Sequence, residues 1–343
     1  MTDVLMLTLC AVIADCSDFE EIEDYGRDKE AFLRNFLELP NGIPSHDTLN
    51  RIFRYLNPDQ LANCLSRWGM EILGFLSEKG IQIDGKECRG TTAKGKKHAS
   101  VQMVSAWVGS EGLCLAQQRV NSKSNEITAI PQVLSSLDIE GAIVSIDAMG
   151  CQQEIASQII EQKGDYILAL KKNHRQLQEE VGTWMEMREQ ILESYHERDL
   201  GHGRAELRQV YVSHDLRFID EAANWEGMAS LAMVKTTRWE GEKCSQKTRF
   251  YISSLNKPTA QQMAKHIRGH WSIENNLHWQ LDMTFNEDAS KAIKDNAPEN
   301  LNTIRKMALQ LLSRESSYKA SMKRKRKKAA RDDNYLMTLL SKF

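Results

Sequence analysis

Apolar residues recur along this chain with different periods, and each change of period marks a part. Over the first 77 residues the spacing is helical, in "VLMLTLCAVIA", "DKEAFLRNFLEL" and "DTLNRIFRYL", with Ser45 or Asp47 placed to cap the last of these. "LPNGIPSHD" between them is a turn. The segment fits a helix-turn-helix with Arg51 and Arg54 turned to DNA, and equally a plain helical packing unit.

At "GIQIDGKECRG" the period shortens to two, which predicts a strand ending in Asp84. "HASVQMVSAWVG" and "LCLAQQRV" continue the alternation around "SEG" as a hairpin would. A helix over "NEITAIPQVLSSLD" follows, and then "GAIVSIDAMG", a continuous apolar run suited to a strand buried on both faces, ends in Asp147. "QQEIASQIIEQKG" reads as a helix closed by Gly164, and "DYILALKKN" as a further strand. A polar amphipathic helix is expected over residues 174–198, followed by strands in "GRAELRQVYVSHDL", "ASLAMVKTTRW" and "TRFYISSL".

Helical spacing returns after Thr259, which is placed to cap it, and carries the densest chemistry of the chain. Ile273, Leu277, Leu281 and Phe285 recur every fourth residue and form an apolar row that should face a core. Beside it runs a row of ionisable residues, His266, His270, Glu274, His278 and Asp282. Surface helices usually carry Lys and Glu pairs there, so this stripe predicts a helix that lends a carboxylate to a site at a sheet edge. "PENLNTIRKMALQLLSR" is the last long helix, with Pro298 at its start, and "KRKRKK" a solvated basic run after it.

Composition narrows the class only slightly. The chain has 343 residues, 41% hydrophobic and 27% charged, with a net charge of -2. That charge excludes a protein wrapped in uniform positive field, so any nucleic-acid contact must come from patches. Seven scattered cysteines, an odd number without a C-x-x-C pair, predict reduced thiols in a cytoplasmic protein and no zinc knuckle. The apolar N-terminal run follows Asp3 and no basic residue, and is too short to span a bilayer, so it reads as a buried helix.

Asp84 and Asp147 at strand ends, with Glu274 on a helix laid across that end, are a set that can grip divalent ions through hard oxygen ligands. Two such ions are what phosphodiester cleavage and transfer use. Each acid also has a structural reading: Asp84 in a turn, Asp147 as a helix cap, Glu274 paired with His270 or His278. Asp282, Glu287 and Asp288 are alternative ligands or supports for Glu274. A zinc hydrolase built on "HIRGH" is the competing chemistry, but the residue after the first histidine is Ile267 and not the required glutamate.

The stretches "IDGKECRGT", "KSNEITAIPQVLSSLDIEGAIVSIDAMGCQ", "GDYILALKKN", "GHGRAELR", "HWSIENNLHWQLDMTFNED" and "KAARDDNYL" resemble the H-repeat-associated transposases of Rhs elements, of the As-one type of insertion sequence. The resemblance spans nearly the whole chain. It implies a DDE transposase that cuts and joins DNA at element ends and target, with Mg²⁺ as cofactor in two sites, Mn²⁺ as substitute, and Asp84, Asp147 and Glu274 as catalytic and metal-binding acids. It implies an α/β fold: an RNase H-like mixed sheet flanked by helices, a β-rich insertion before the last catalytic helix, and a small N-terminal helical domain. The parts would be 1–77 helical domain, 78–173 and 249–315 catalytic core, 174–248 insertion and 316–343 basic tail. A homo-oligomer on DNA, nucleoid-associated in the cytoplasm and not in a membrane, is the expected assembly.

Two departures from the family pattern stand out. Full-length members are expected to begin with an extra segment before "DVLMLTLCAVI", so a remnant that only binds DNA is the alternative reading. The wider class places Tyr, Arg and Lys around the last Glu, where this chain has Ile267, His270 and Leu281, leaving His270 or Lys291 to take over. Candidate phosphate contacts are Lys86, Arg89, Lys96 and Lys97 near Asp84, Lys171 and Lys172 after a core strand, Arg204, and Lys323, Arg324, Lys325 and Arg326 near the C-terminus. Trp271 and Trp279 are expected to be core residues.

Overall fold

The computed structural model describes residues 1–91, 100–120, 125–201 and 203–342. In chain order the elements are α1 (Thr2–Ile13), α2 (Phe19–Asp28), α3 (Glu30–Leu33), α4 (His46–Tyr55), α5 (Pro58–Leu73), β1 (Gly80–Cys88), β2 (Val101–Val108), β3 (Leu113–Arg119) and α6 (Glu126–Ser135). There follow β4 (Ile143–Ile146), α7 (Gln153–Glu161), β5 (Asp165–Leu170), α8 (Arg175–Arg188), β6 (Glu193–Gly201), β7 (Arg204–Ser213), β8 (Ser230–Glu240) and β9 (Lys243–Ser253). The chain continues through α9 (Ala260–Ser272), a π turn (Ile273–His278), α10 (Trp279–Met283), α11 (Ala297–Arg314), α12 (Met322–Ala329) and α13 (Asp333–Leu340).

The strands form a mixed sheet in the order β3-β2-β1-β4-β5-β9-β8-β7-β6. β1, β4 and β5 run parallel and the ribbon from β9 to β6 antiparallel, so residues 193–253 extend the sheet. The chain divides into two compact units, Met1–Gly74 with Gly85–Asn125 and Ile273–Phe343, and Phe75–Asp84 with Glu126–Ser272.

In the first unit α11 is the axis, buried from Ala297 to Leu312. Apolar residues of α1, α4 and α5 close on it, and the N-terminal run from Leu7 to Ile13 lies in this core as its apolar content requires. Ser45 caps α4 by accepting from Thr48 N, while Arg54 is engaged with Asp295 at 2.7 Å. Polar side chains buried on α11 find partners: Lys306 Nζ donates to Ser105 Oγ at 2.7 Å and Gln117 Oε1 at 2.8 Å, and Asn300 donates to Phe53 O at 2.8 Å.

The basic run is a helix, not a solvated tail. Lys325 is buried and donates to Leu312 O at 2.8 Å and to Glu315 O. Arg326 is 1% exposed, donates to Val12 O, Cys16 O and Thr284 O, and lies 4.3 Å over the Phe285 ring. The helical period of "KRKRKK" turns two of its six cations inward, where main-chain carbonyls take the place of water.

In the second unit α9 crosses one face of the sheet. Its Ala260 N donates to Glu193 Oε1 at 2.8 Å on β6, and its Ser272 Oγ donates to Gln82 Oε1 at 3.3 Å on β1. Val210, Val234, Tyr251 and Ile167 pack under Met263 and Ile267. Three boundaries differ from the sequence pattern, the first being β1, which does not end at Asp84 but runs on to Cys88. α8 stops at Arg188 and Glu193 opens β6, because Glu193–Gly201 pairs fully with β7 despite its polar composition. The left-handed residue after α7 is Lys163 (φ 59°), while Gly164 is tight against Ile139, where a Cβ would sit 3.1 Å from that residue's carbonyl oxygen.

Candidate active site

Asp84 and Asp147 emerge from neighbouring strands at one register level. Ile83 and Ile146 are the last paired positions of β1 and β4, so the next residue on each is an acid, about 4.8 Å apart in the strand-to-strand direction. Side chains alternate along a strand, so Gln82 and Asp84, with Ser145 and Asp147, share one face. α9 covers that face, since Ser145 Oγ lies 3.1 Å from His270 Nδ1 and Ser272 Oγ reaches Gln82.

Beyond Ser272 the helix widens into the π turn, which carries Glu274 and His278. Such inserted turns often occur at functional sites because they re-aim side chains that a regular helix would fix. The apolar row is as expected, with Ile273, Leu277, Leu281 and Phe285 each at most 1% exposed. Trp271 and Trp279 are a correction: they are 47% and 54% exposed and lie outside the core. The buried row of Ile273, Leu277, Leu281 and Phe285 is filled without them.

Asp84, Glu274 and His278 each offer one ligand atom, and these atoms lie within 4.8 Å of one another. Glu274 keeps a 59% exposed side chain and His278 Nδ1 stands 3.5 Å from Glu274 Oε2. Burial holds the His278 ring below the usual histidine range against the pull of Glu274, leaving it in the neutral form that can bind metal. Two carboxylates with one imidazole fit a divalent transition ion such as Mn²⁺ better than Mg²⁺, which prefers oxygen ligands alone. The sequence pattern points to acids alone. It offers His278 only as a partner for Glu274, and the burial that keeps its ring below the usual histidine range leaves no mark in the residue spacing.

Asp147 stands outside that trio. Its Oδ1 accepts from Met149 N at 3.0 Å and Gly150 N at 3.4 Å, which steers the carboxylate at the strand end. Glu126 is close by: burial, then the Asp147 charge, raises its carboxyl above the ordinary value. No sequence signal singles it out.

The alternative acids are used differently. Glu287 is 2% exposed and sits among Lys86 at 3.0 Å, Arg305 at 3.4 Å and Asn302 at 2.7 Å. Burial would raise its carboxyl, but Arg305 and Lys86 hold it at about 2. Asp282 meets Lys86 at 2.7 Å and Asp288 meets it at 3.8 Å. Lys86 is therefore a buried tie from β1 to these acids and not a group presented to DNA. Lys325 and Arg326 are likewise spent inside the protein.

Of the other cationic candidates, Arg89, Lys171, Lys172, Arg204, Lys323 and Arg324 are exposed, with Arg324 also donating to Tyr318 Oη at 3.0 Å. Lys96 and Lys97 lie outside the described residues. Lys291 is paired with Asp18 at 3.1 Å. His266 and His270 are not members of the ligand trio.

Comparison with known families decides the class. The family described as "Transposase DDE domain" matches residues 76–311, and "DDE_Tnp_1-associated" matches residues 1–69. An Escherichia coli (strain K12) protein named "H repeat-associated putative transposase YhhI" is 37% identical over 99% of this chain and 92% of its own length. The chain belongs to the H-repeat-associated DDE transposases. "Putative transposase YncI" of Escherichia coli O157:H7 is 38% identical over 99% of this transposase chain and 89% of its own length. A solved piggyBac transposase synaptic complex with hairpin DNA covers 98% of this chain and 72% of its own at 12% identity, with a TM-score of 0.46. No described helix is long and apolar enough to cross a membrane.

Proposed function

We propose that this transposase cleaves DNA strands at the ends of an insertion element and transfers them to a target, using Asp84, Asp147 and Glu274 as its acids with His278 beside them. The observation that carries the reading is the meeting of Asp84, Glu274 and His278 within 4.8 Å, with Asp147 on the adjacent strand at the level of Asp84. A divalent ion held there would acidify water and offset charge on the phosphate. A second ion falls to Asp147 in the same reading.

The chain's own groups do the remaining work. The π turn aims Glu274 and His278, the Met149 and Gly150 amides orient Asp147, and Gln82 and Ser145 anchor α9 over the acid-bearing face. Lys171 and Lys172, exposed directly after β5, are placed to meet phosphates, as is Arg89 after β1. Assembly as a homo-oligomer on two element ends belongs to this reading.

The test is strand cleavage of DNA carrying the chain's own flanking repeats, by wild type and Asp147→Asn, with Mg²⁺, Mn²⁺ or EDTA. Nicking by wild type that needs the metal and vanishes in the variant is the expected result. Equal nicking by Asp147→Asn contradicts the assignment, and binding without cutting under any divalent ion supports an inactive DNA-binding remnant.

A further inference from the structure

Beside the acids lies a second surface that the motifs do not mark, in the ribbon of β6–β9. The register fixes which side chains share the face covered by α9. Ala169 pairs with Tyr251 and Leu170 with Phe250, so the next position across from Lys171 is Arg249. Going outward along β9 from Tyr251, that face carries Arg249, Lys247, Ser245 and Lys243 in turn, at about 6.7 Å per step. Arg249 and Lys247 thus begin one step beyond the level at which Asp147 leaves β4, since Ile146 pairs with Leu168.

Acids of this face near β9 are met by cations, and Glu240, directly across from Lys243 in register, lies 3.9 Å from Arg238. Glu206, with a 5% exposed side chain, is held by Arg208 and by Arg238 at 2.9 Å. Glu197 and Asp199 are met by Arg268 of α9 at 3.7 and 3.1 Å. By contrast, Lys243, Lys247 and Arg249 have no carboxylate within ion-pair distance among the described residues. Lys243 and Lys247 are exposed, and Arg249 lies 5.3 Å over the ring of Trp271, itself 47% exposed and three residues before Glu274. β5 pairs with β9 only from Phe250 to Ser253, so the edge of β9 from Lys243 to Arg249 carries no strand on that side among the described residues.

We propose that Lys243, Lys247 and Arg249, continued by Lys171, form a track for the sugar-phosphate backbone of duplex DNA leading to the acids. This rests on the reading that the chain acts on DNA. A row of cations without ion pairs on one face, ending at an exposed aromatic ring, matches the chemistry of a polyanion with flat bases. Lysines on an open strand edge also guard against edge-to-edge aggregation, and that role requires charge of either sign.

The experiment measures binding of the full-length chain to a fluorescent 30-base-pair duplex of arbitrary sequence across a potassium chloride series. Compared are wild type, the triple variant Lys243→Gln/Lys247→Gln/Arg249→Gln, and Lys247→Glu. The track predicts a log affinity against log salt slope shallower by about 2 to 3 in the triple variant, at about 0.9 per lost phosphate contact. It also predicts at least about tenfold weaker binding for Lys247→Glu, which keeps the edge charged and therefore soluble. A wild-type slope in the triple variant, or wild-type affinity in Lys247→Glu, overturns the track and leaves the proposed activity standing. A wild-type chain that neither binds nor cuts DNA removes the proposed activity itself, and the track with it.

Discussion

Two acid clusters lie close together in sequence, one on the π turn and one just after α10, and they differ in burial. Glu287 is buried with an ammonium and a guanidinium against it, and every carboxylate oxygen it has is answered. Glu274 keeps more than half its side chain in solvent and stands with a second carboxylate and a neutral imidazole. In the first cluster the protein supplies the counter-charge, which ties β1 to the chain after α10. In the second, two carboxylates and an imidazole offer ligand atoms within 4.8 Å of one another, as a divalent ion would need. Burial, rather than the mere presence of acids, separates scaffold from site.

Removing one member of the buried cluster should cost most. Glu287→Ala leaves Lys86 and Arg305 buried together, so urea unfolding should show a loss of about 3–5 kcal/mol. A loss below about 1 kcal/mol would mean that the cluster is not what holds this region. Glu274→Gln should do the reverse: stability within about 1 kcal/mol of wild type, with metal-dependent strand cleavage down more than about 100-fold, beyond what loss of a supporting group costs. Unfolding by that substitution would erase the distinction between the clusters.

Acid titration sharpens it further. The folded carboxyl of Glu287 is held at about 2, below its unfolded value, so its stabilisation is fully present above the unfolded value and is lost as pH falls toward 2. Wild type should therefore lose stability relative to Glu287→Gln between roughly pH 4.5 and 2, measured by chemical denaturation at each pH. Parallel curves for the two proteins would refute the assignment. The smallest effect separates the two kinds of cation in α12: Lys323→Gln should change stability by under about 0.5 kcal/mol, whereas Lys325→Gln should cost about 1–3 kcal/mol. Equal values would return Lys325 to the surface.

Much of this is legible in the residues because each signal is local. Strand alternation locates β1, β2 and β3, and the continuous apolar run locates β4 with Asp147 at its end. The four-residue apolar row of Ile273 to Phe285 names the buried side of the last site helix. What local pattern cannot supply is compensation at long range. Lys86 reads as a phosphate contact, yet Asp282 and Glu287, distant in sequence, lie against it. Arg326 reads as solvated, yet a carbonyl of α1 accepts its protons. β6 is hidden because its polar alternation is stabilised by pairing with β7, and His278 because one residue cannot announce its own burial.

The most direct measurement of the central claim is calorimetric titration of Mn²⁺ into the purified chain, with Asp84→Asn and Glu274→Gln beside it. Saturable binding by wild type that is lost or weakened by more than about tenfold in both variants, while Asp288→Asn binds like wild type, is the predicted result. Undiminished Mn²⁺ binding in both site variants would contradict it.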